Sequence, residues 1–249
     1  MENVIESKMI PKIIHYCWFG GNPLPKSAIK CIESWKKFFP DYEIKEWNED
    51  NFDVNIVPYT RQAYEMKKYA FVSDYARFWI LYHYGGIYFD TDVEVIKSFG
   101  DIIEKGAFMG CEMDGNEDDY PLVAPGLCLG VEKEDTIYKS ILDYYSKRNY
   151  TEETMTVVGI NTEVLKTFGL QKTEKIQRLG NITIYPQDFF NPLDDATGRL
   201  RITENTRSIH WFAKTWVDNY SPLRTKVTRL IHRYFGVNSM KWLKKILHV

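Results

Sequence analysis

Residues 73–95, SDYARFWILYHYGGIYFDTDVEV, constrain the fold more tightly than any other part of this chain. From Thr60 to Tyr84 the apolar residues recur at helical spacing in two pieces, with Ser73 or Asp74 as the expected N-cap of the second piece and Gly85 as its stop. The apolar residues Ile87 to Phe89 follow at once and read as a short buried strand. Two carboxylates, Asp90 and Asp92, then stand where that strand runs out. A helix that passes through a glycine pair directly into an apolar strand is an α/β arrangement, and in such sheets ligands bind beyond the carboxyl ends of the strands.

The start of the chain extends the pattern. Lys12 to Trp18 is a short apolar run closed by Gly20-Gly21 and reads as a first strand. Ile29, Ile32, Trp35 and Phe38 keep a spacing of three to four residues, so Pro25 to Phe39 reads as a helix, stopped at Pro40-Asp41. Tyr42 to Trp47 then reads as a second strand, and a β-α-β start favours a parallel sheet. Beyond Asp92 the pattern weakens: 112–126 is a polar loop, 135–148 a helix, and 181–192 a strand running into a loop. The second half is expected to be the more irregular.

The chain's 249 residues, 44% of them hydrophobic, suffice to bury a full core. The four cysteines, Cys17, Cys31, Cys111 and Cys128, lack metal-ligand spacing, so reduced thiols in a cytoplasmic protein are expected. No run of about 18 apolar residues occurs, and residues 1–12 carry no apolar stretch of signal-peptide length, so no membrane span is expected. Seven of the 32 Lys and Arg residues, and none of the 34 acids, fall between Asn219 and Val249. That basic tail is amphipathic at helical spacing through Leu223, Val227, Leu230, Ile231 and Tyr234, and again through Trp242, Leu243, Ile246 and Leu247. It can lie on an anionic membrane surface, which would make the protein peripheral on the inner face, or pack on its own domain with a solvated basic face. The acidic body has no broad basic face, so nucleic acid is not an expected partner.

Carboxylates at i and i+2 of an extended backbone point to the same side and can share one hard divalent cation, Mg²⁺ or Mn²⁺, that bridges a diphosphate. A bare D-x-D is more often a solvated strand end, so its neighbours must decide. Asp74 and Arg77, three apart on the preceding helix, share a face. They either pair with each other or present a carboxylate and a guanidinium to the hydroxyls of a polar ligand.

With these residues in place, the stretch resembles the core motif of the DXD-containing glycosyltransferases of family 32, and is similar to the glucosyltransferase domain of the large clostridial toxins. Ser73, Asp74, Arg77, Gly85, Gly86, Tyr88, Asp90 and Asp92 match position by position, and IPKIIHYCWFGG resembles the family's first strand. The resemblance implies an α/β, GT-A-like nucleotide-binding sandwich with a central, mostly parallel sheet over residues 1–218, followed by a helical tail over 219–249. It also implies roles. Trp18 would stack on the nucleotide base, and Ser73 and Tyr88 would lie along ribose and phosphates. Asp74 and Arg77 would bind the donor sugar, Asp90 would bridge ribose and metal, and Asp92 would ligate the metal. SIHWFAKTW resembles the family's C-terminal element, in which His210 would complete the metal shell and Trp216 would cover the phosphates. TVVGINTEVL resembles a T-G-P segment with Ile160 in place of proline, leaving Asn161 as a candidate for the sugar pocket.

The implied reaction is metal-dependent transfer of a hexose, with retention, from a nucleotide-sugar to a glycan or lipid-linked acceptor in surface polysaccharide synthesis (capsule or lipopolysaccharide), with UDP-linked donors ahead of GDP-mannose. No single residue stands out as a covalent nucleophile, which favours front-face attack within an ion pair. Two alternatives remain open. A haloacid-dehalogenase-type phosphatase also ends a strand in D-x-D, but Glu94 stands where it carries Thr or Val. A binding module for nucleotide-sugars or carbohydrates, devoid of catalysis, would also conserve the donor site.

Overall fold

A computed structural model describes residues 9–151, 155–213 and 221–237. The strands are β1 (Ile13–Cys17), β2 (Glu43–Trp47), β3 (Gly86–Tyr88), β4 (Val93–Val95), β5 (Phe108–Met113), β6 (Leu122–Val123), β7 (Leu129–Val131), β8 (Gln177–Leu179), β9 (Ile182–Tyr185) and β10 (Ser208–His210). The helices are α1 (Lys26–Phe38), α2 (Pro58–Glu65), α3 (Tyr69–Tyr84), α4 (Gly100–Ile103), α5 (Thr136–Ser146), α6 (Val157–Thr167), α7 (Gln187–Phe190) and α8 (Pro222–Phe235).

Eight strands form the central sheet in the order β2-β1-β3-β7-β5-β9-β8, with β6 added on β5. β2, β1, β3, β5 and β9 run in one direction, and β7, β8 and β6 oppose them, so the sheet is mostly parallel as expected, though mixed. The opposed strands have a local cause. No helix lies between β5 and β7, and only Gly180 and Asn181 separate β8 from β9, whereas a parallel return needs a long crossover. A two-stranded ribbon, β4 with β10, stands apart from this sheet.

Both faces of the sheet are covered. On one face, α2, α3, α5 and α6 contribute Tyr59, Phe78, Tyr138, Ile141 and Leu165 to a core that includes Trp47, Tyr88 and Leu129. On the other, Ile32 and Trp35 of α1 and Phe190 of α7 pack with Ile14, Ile87 and Phe89. This three-layer α/β sandwich buries β1 and β3 on both sides, which is why their sequences read as continuous apolar runs.

The helical stretch does break in two, but earlier than the sequence suggests. α2 ends at Glu65, Lys67 takes a left-handed φ of 58°, and α3 starts at Tyr69. Ser73 and Asp74 are therefore not caps: both lie inside α3 and are buried. Short polar side chains read locally as N-caps, but here they are drawn into a helix interior because they face the site. The exit from α3 needs its glycine pair. Gly85 and Gly86 take φ values of 64° and 104°, and a Cβ on Gly86 would meet the Ile13 carbonyl at 2.6 Å.

His15, under this junction, has no exposed surface. Its Nδ1 accepts from the Trp47 indole at 3.0 Å, and its Nε2 lies 3.0 Å from the Gly85 carbonyl, which fixes a neutral ring protonated at Nε2. Burial lowers its pKa from 6.5 to about 4, opposed by the bond to Gly85.

Candidate functional site

β1 and β3 pair in parallel, Ile14 with Ile87 and His15 with Tyr88, so their carboxyl ends open at the same edge. Trp18 leaves β1 there and Asp90 leaves β3. The Phe89 amide continues the ladder to the His15 carbonyl, and the Asp90 amide donates to the Gly126 carbonyl at 3.1 Å. The D-x-D turn closes through the Val93 amide on the Asp90 carbonyl and enters β4.

α1 clamps β4 from outside. The Trp35 indole, fully buried, donates to the Val93 carbonyl at 2.7 Å, and the Val95 amide donates to Ser34 Oγ at 2.9 Å. On its other side β4 pairs antiparallel with β10, matching Val93 to His210. This ribbon carries a residue from the end of the chain to the D-x-D.

Two polar clusters meet at Asp90 and Asp92. In the first, Arg77 Nη2 donates to Asp74 Oδ1 at 3.0 Å and Arg77 Nη1 to Asp90 Oδ2 at 3.3 Å. Tyr88 donates its hydroxyl to Asp90 Oδ1 at 3.0 Å, and the guanidinium lies 5.0 Å over the Tyr88 ring. Asp74 and Arg77 are thus paired with each other and also joined to the D-x-D, a combination the sequence left open. Burial raises the Asp74 carboxyl well above the usual carboxylate range, against the pull of Arg77. Burial also disfavours the charged form of Arg77, but Asp90, Tyr88 and Asp74 outweigh it and keep the guanidinium protonated.

In the second cluster, Asp92 Oδ1 lies 3.2 Å from His210 Nε2, and Asp92 Oδ2 accepts the Ala213 amide at 2.8 Å. Burial would raise the Asp92 pKa, yet His210 and the Ala213 amide hold it below the ordinary value. Burial likewise opposes charge on His210, and Asp92 more than offsets it and raises that pKa. The two side chains expose only 17% and 16% of their surface. Phe212, between His210 and Ala213, takes a left-handed φ of 51° and sets its ring 4.2 Å from the imidazole.

The donor set suits a divalent cation in kind: two carboxylates and an imidazole at one sheet edge. His210 Nδ1 is buried with no protein partner, and the Asp90 carboxylate fills the place of a side chain on Gly126, where a Cβ would fall 2.1 Å from Oδ2. The carboxylates do not yet converge. Asp90 is turned to Arg77 and Tyr88 while Asp92 faces His210, and among the described residues no three His, Cys, Asp or Glu side chains are arranged as a ready-made shell.

The remaining expected residues divide. Trp18 stands half-buried at the site edge, its indole donating to the Asn22 carbonyl at 2.5 Å. Ser73, one turn before Arg77 on α3, donates to the Tyr69 carbonyl. Asn161 has no exposed surface. Its amide donates to the Val123 carbonyl at 2.9 Å, and the neighbouring Thr162 hydroxyl accepts the Val123 amide, so Asn161 ties α6 to β6, with its Oδ1 buried and without a protein partner among the described residues. Trp216 lies outside the described residues.

Sequence reasoning missed three contributors. Gly126 accepts the Asp90 amide and lets the Asp90 carboxylate pack where a side chain would stand, yet in sequence it is one more loop glycine. Trp211 donates its indole N–H to Glu94 at 2.8 Å, fastening the C-terminal element beside Asp92. Glu112 on β5 lies within electrostatic reach of His210, and burial raises its pKa. A cavity of about 380 Å³ in the middle region is lined by Met113, Asp114, Tyr120, Leu122, Thr162 and Glu163 among others, and by none of the cluster residues.

Residues 25–109 match the family described as "Glycosyltransferase sugar-binding region containing DXD motif". The chain is 32% identical over 108 residues to inositol phosphoceramide mannosyltransferase 3 of Schizosaccharomyces pombe, covering 42% of this chain and 30% of that one. It is 25% identical over 162 residues to inositol phosphoceramide mannosyltransferase 1 of the same yeast, covering 59% and 47%. These matches span less than half the length of either relative. Among solved structures, one described as "PaToxG Glycosyltransferase" superposes with a TM-score of 0.48 at 22% identity, covering 64% of this chain and 69% of that chain.

Proposed function

We propose, from the match of residues 25–109 to the DXD-containing glycosyltransferase sugar-binding region, that the chain is a GT-A-type, metal-dependent glycosyltransferase that moves a hexose from a nucleotide-sugar to a glycan or lipid-linked acceptor with retention. The observation that carries the reading is the junction of Asp74, Arg77 and Asp90 on one side with Asp92 and His210 on the other. A structural ion pair would need only Asp74 and Arg77, and a solvated strand end would not recruit a histidine from the far end of the chain.

Asp90, Asp92 and His210 would hold Mn²⁺ or Mg²⁺, and the bound cation would neutralise charge that builds on the diphosphate as the anomeric bond breaks. The chain's own groups do the rest. Arg77, kept cationic by three neighbours and immobilised by Asp74, offers a fixed positive field to the donor. Asp74 orients that guanidinium and faces donor hydroxyls, and Trp18 presents its ring to the base at the sheet edge. Ser73 and Tyr88 complete the nucleotide side. The acceptor would approach the face left open, where the anomeric carbon is attacked as the diphosphate departs.

UDP-linked hexoses are the leading donors from the motif. A mannose donor is favoured by a separate observation, the names of the two yeast relatives, which also support a lipid acceptor. Thermal-shift measurement with UDP- and GDP-sugars in Mn²⁺ separates the two. The reading expects one nucleotide class to raise the midpoint in a metal-dependent way, and turnover of p-nitrophenyl phosphate with no response to any nucleotide-sugar would replace it with the phosphatase.

A further inference from the structure

α8 sits on the domain the wrong way round for an ordinary amphipathic helix. Arg229 donates to Asp195 Oδ1 at 2.7 Å and to the Asp195 carbonyl, and Arg233 donates to the Thr197 and Gly198 carbonyls. His232 Nδ1 lies 3.1 Å from the Ala196 carbonyl. The docked face is therefore the polar one. Even there the contact is open, since a cavity of about 280 Å³, lined by Asp195, Thr225, Thr228, Arg229 and His232 among others, separates the helix from the loop.

The apolar face points outward. Leu223, Val227, Leu230 and Tyr234 recur at spacings of four, three and four, which makes one stripe, and they are 73%, 49%, 50% and 75% exposed. Phe235 adds a further exposed ring at the helix end. The arginines that hold α8 to the 195–198 loop occupy the side away from the stripe, so the domain cannot cover it without breaking those bonds.

We propose that this face of α8 lies on an anionic lipid surface and that the Arg229 and Arg233 contacts set how the catalytic domain stands on it. The charge pattern selects that occupant. Exposed Lys226 and Arg224 flank the stripe, and between Asn219 and Val249 there are seven Lys and Arg and no acid. An apolar stripe bordered by cations matches the boundary between acyl chains and anionic headgroups. A second copy of the chain fits poorly, because pairing the stripes would bring two all-basic segments together. The sequence beyond Gly236 repeats the composition, with Lys241, Lys244 and Lys245 among Trp242, Leu243, Ile246 and Leu247. This assignment goes beyond the donor chemistry and holds whichever sugar is moved.

The test is co-sedimentation of the full chain with vesicles of phosphatidylcholine, alone or with about a third phosphatidylglycerol. Binding to the anionic vesicles only, weakened by salt, is expected. The combined variant Leu223→Ser, Val227→Ser, Leu230→Ser changes only exposed positions, so its thermal midpoint should stay put while partitioning falls about ten-fold. Undiminished partitioning of that variant, equal binding to neutral vesicles, or vesicle-free self-association that the variant abolishes would each overturn the proposal.

Discussion

Replacing Gly126 with alanine should damage the site while leaving the fold intact. The added Cβ would fall 2.1 Å from Asp90 Oδ2 and 3.2 Å from Arg77 Nη1, where ordinary contact begins at 3.4 Å. The Asp90 carboxylate must therefore move by about 1 Å or more, which breaks the contact with Arg77 that fixes its present position. The obstacle is the free end of a side chain that is 30% exposed, so it can swing aside and the backbone need not shift. Misplacement of a catalytic group by about 1 Å costs on the order of 100-fold in rate, whereas the lost Arg77–Asp90 bond, partly open to solvent, should cost about 1 kcal/mol or less. The assay pairs steady-state transfer or donor hydrolysis in Mn²⁺ with thermal denaturation. G126A should lose about two orders of magnitude in kcat/KM with a midpoint within a few degrees of the parent. Full activity in G126A would refute the reasoning, since Asp90 could then not need the position that Gly126 leaves free.

His15 makes stability fall in acid. Its pKa is depressed on folding, so the unfolded chain binds the extra proton first: stability is intact above pH 6.5, declines as pH falls toward 4, and is fully reduced below that. The interval is worth about 3 kcal/mol, and urea denaturation at successive pH values should lose about one proton of slope in His15→Gln. Trp35→Phe removes the donor to the buried Val93 carbonyl and should cost about 1–3 kcal/mol in the same assay. Lys67→Gly relieves a left-handed φ of 58° at an exposed position and should raise stability by up to about 1 kcal/mol.

What could be read from the residues follows from how local each decision was. α1 and the strands β1, β2 and β3 are set by near-neighbour periodicity, and the glycine pair before the D-x-D marks a turn that only glycine makes easily. The family match over residues 25–109 bears out the resemblance seen in those residues. The N-cap assignment failed because Ser73 and Asp74 have cap chemistry but tertiary burial, and the break at Lys67 carries no glycine or proline to announce it. The approach of His210 to Asp92 depends on a ladder between distant strands, so spacing alone could suggest the residue but not the contact. Local likeness suggested Asn161 for the sugar pocket, but its bond to the Val123 carbonyl joins segments 38 residues apart and could not be read from spacing. In the tail, periodicity revealed two faces, and only the bonds from Arg229 and Arg233 told which one the domain holds.

The central claim is that Asp92, with Asp90 and His210, supports a metal-dependent nucleotide-sugar site. Turnover of the best-binding nucleotide-sugar, measured in Mn²⁺ for the parent chain and for Asp92→Ala, tests it most directly. The account predicts turnover that chelation abolishes, that Mn²⁺ restores, and that falls about 100-fold or more in the folded Asp92→Ala variant; undiminished turnover in that variant would contradict it.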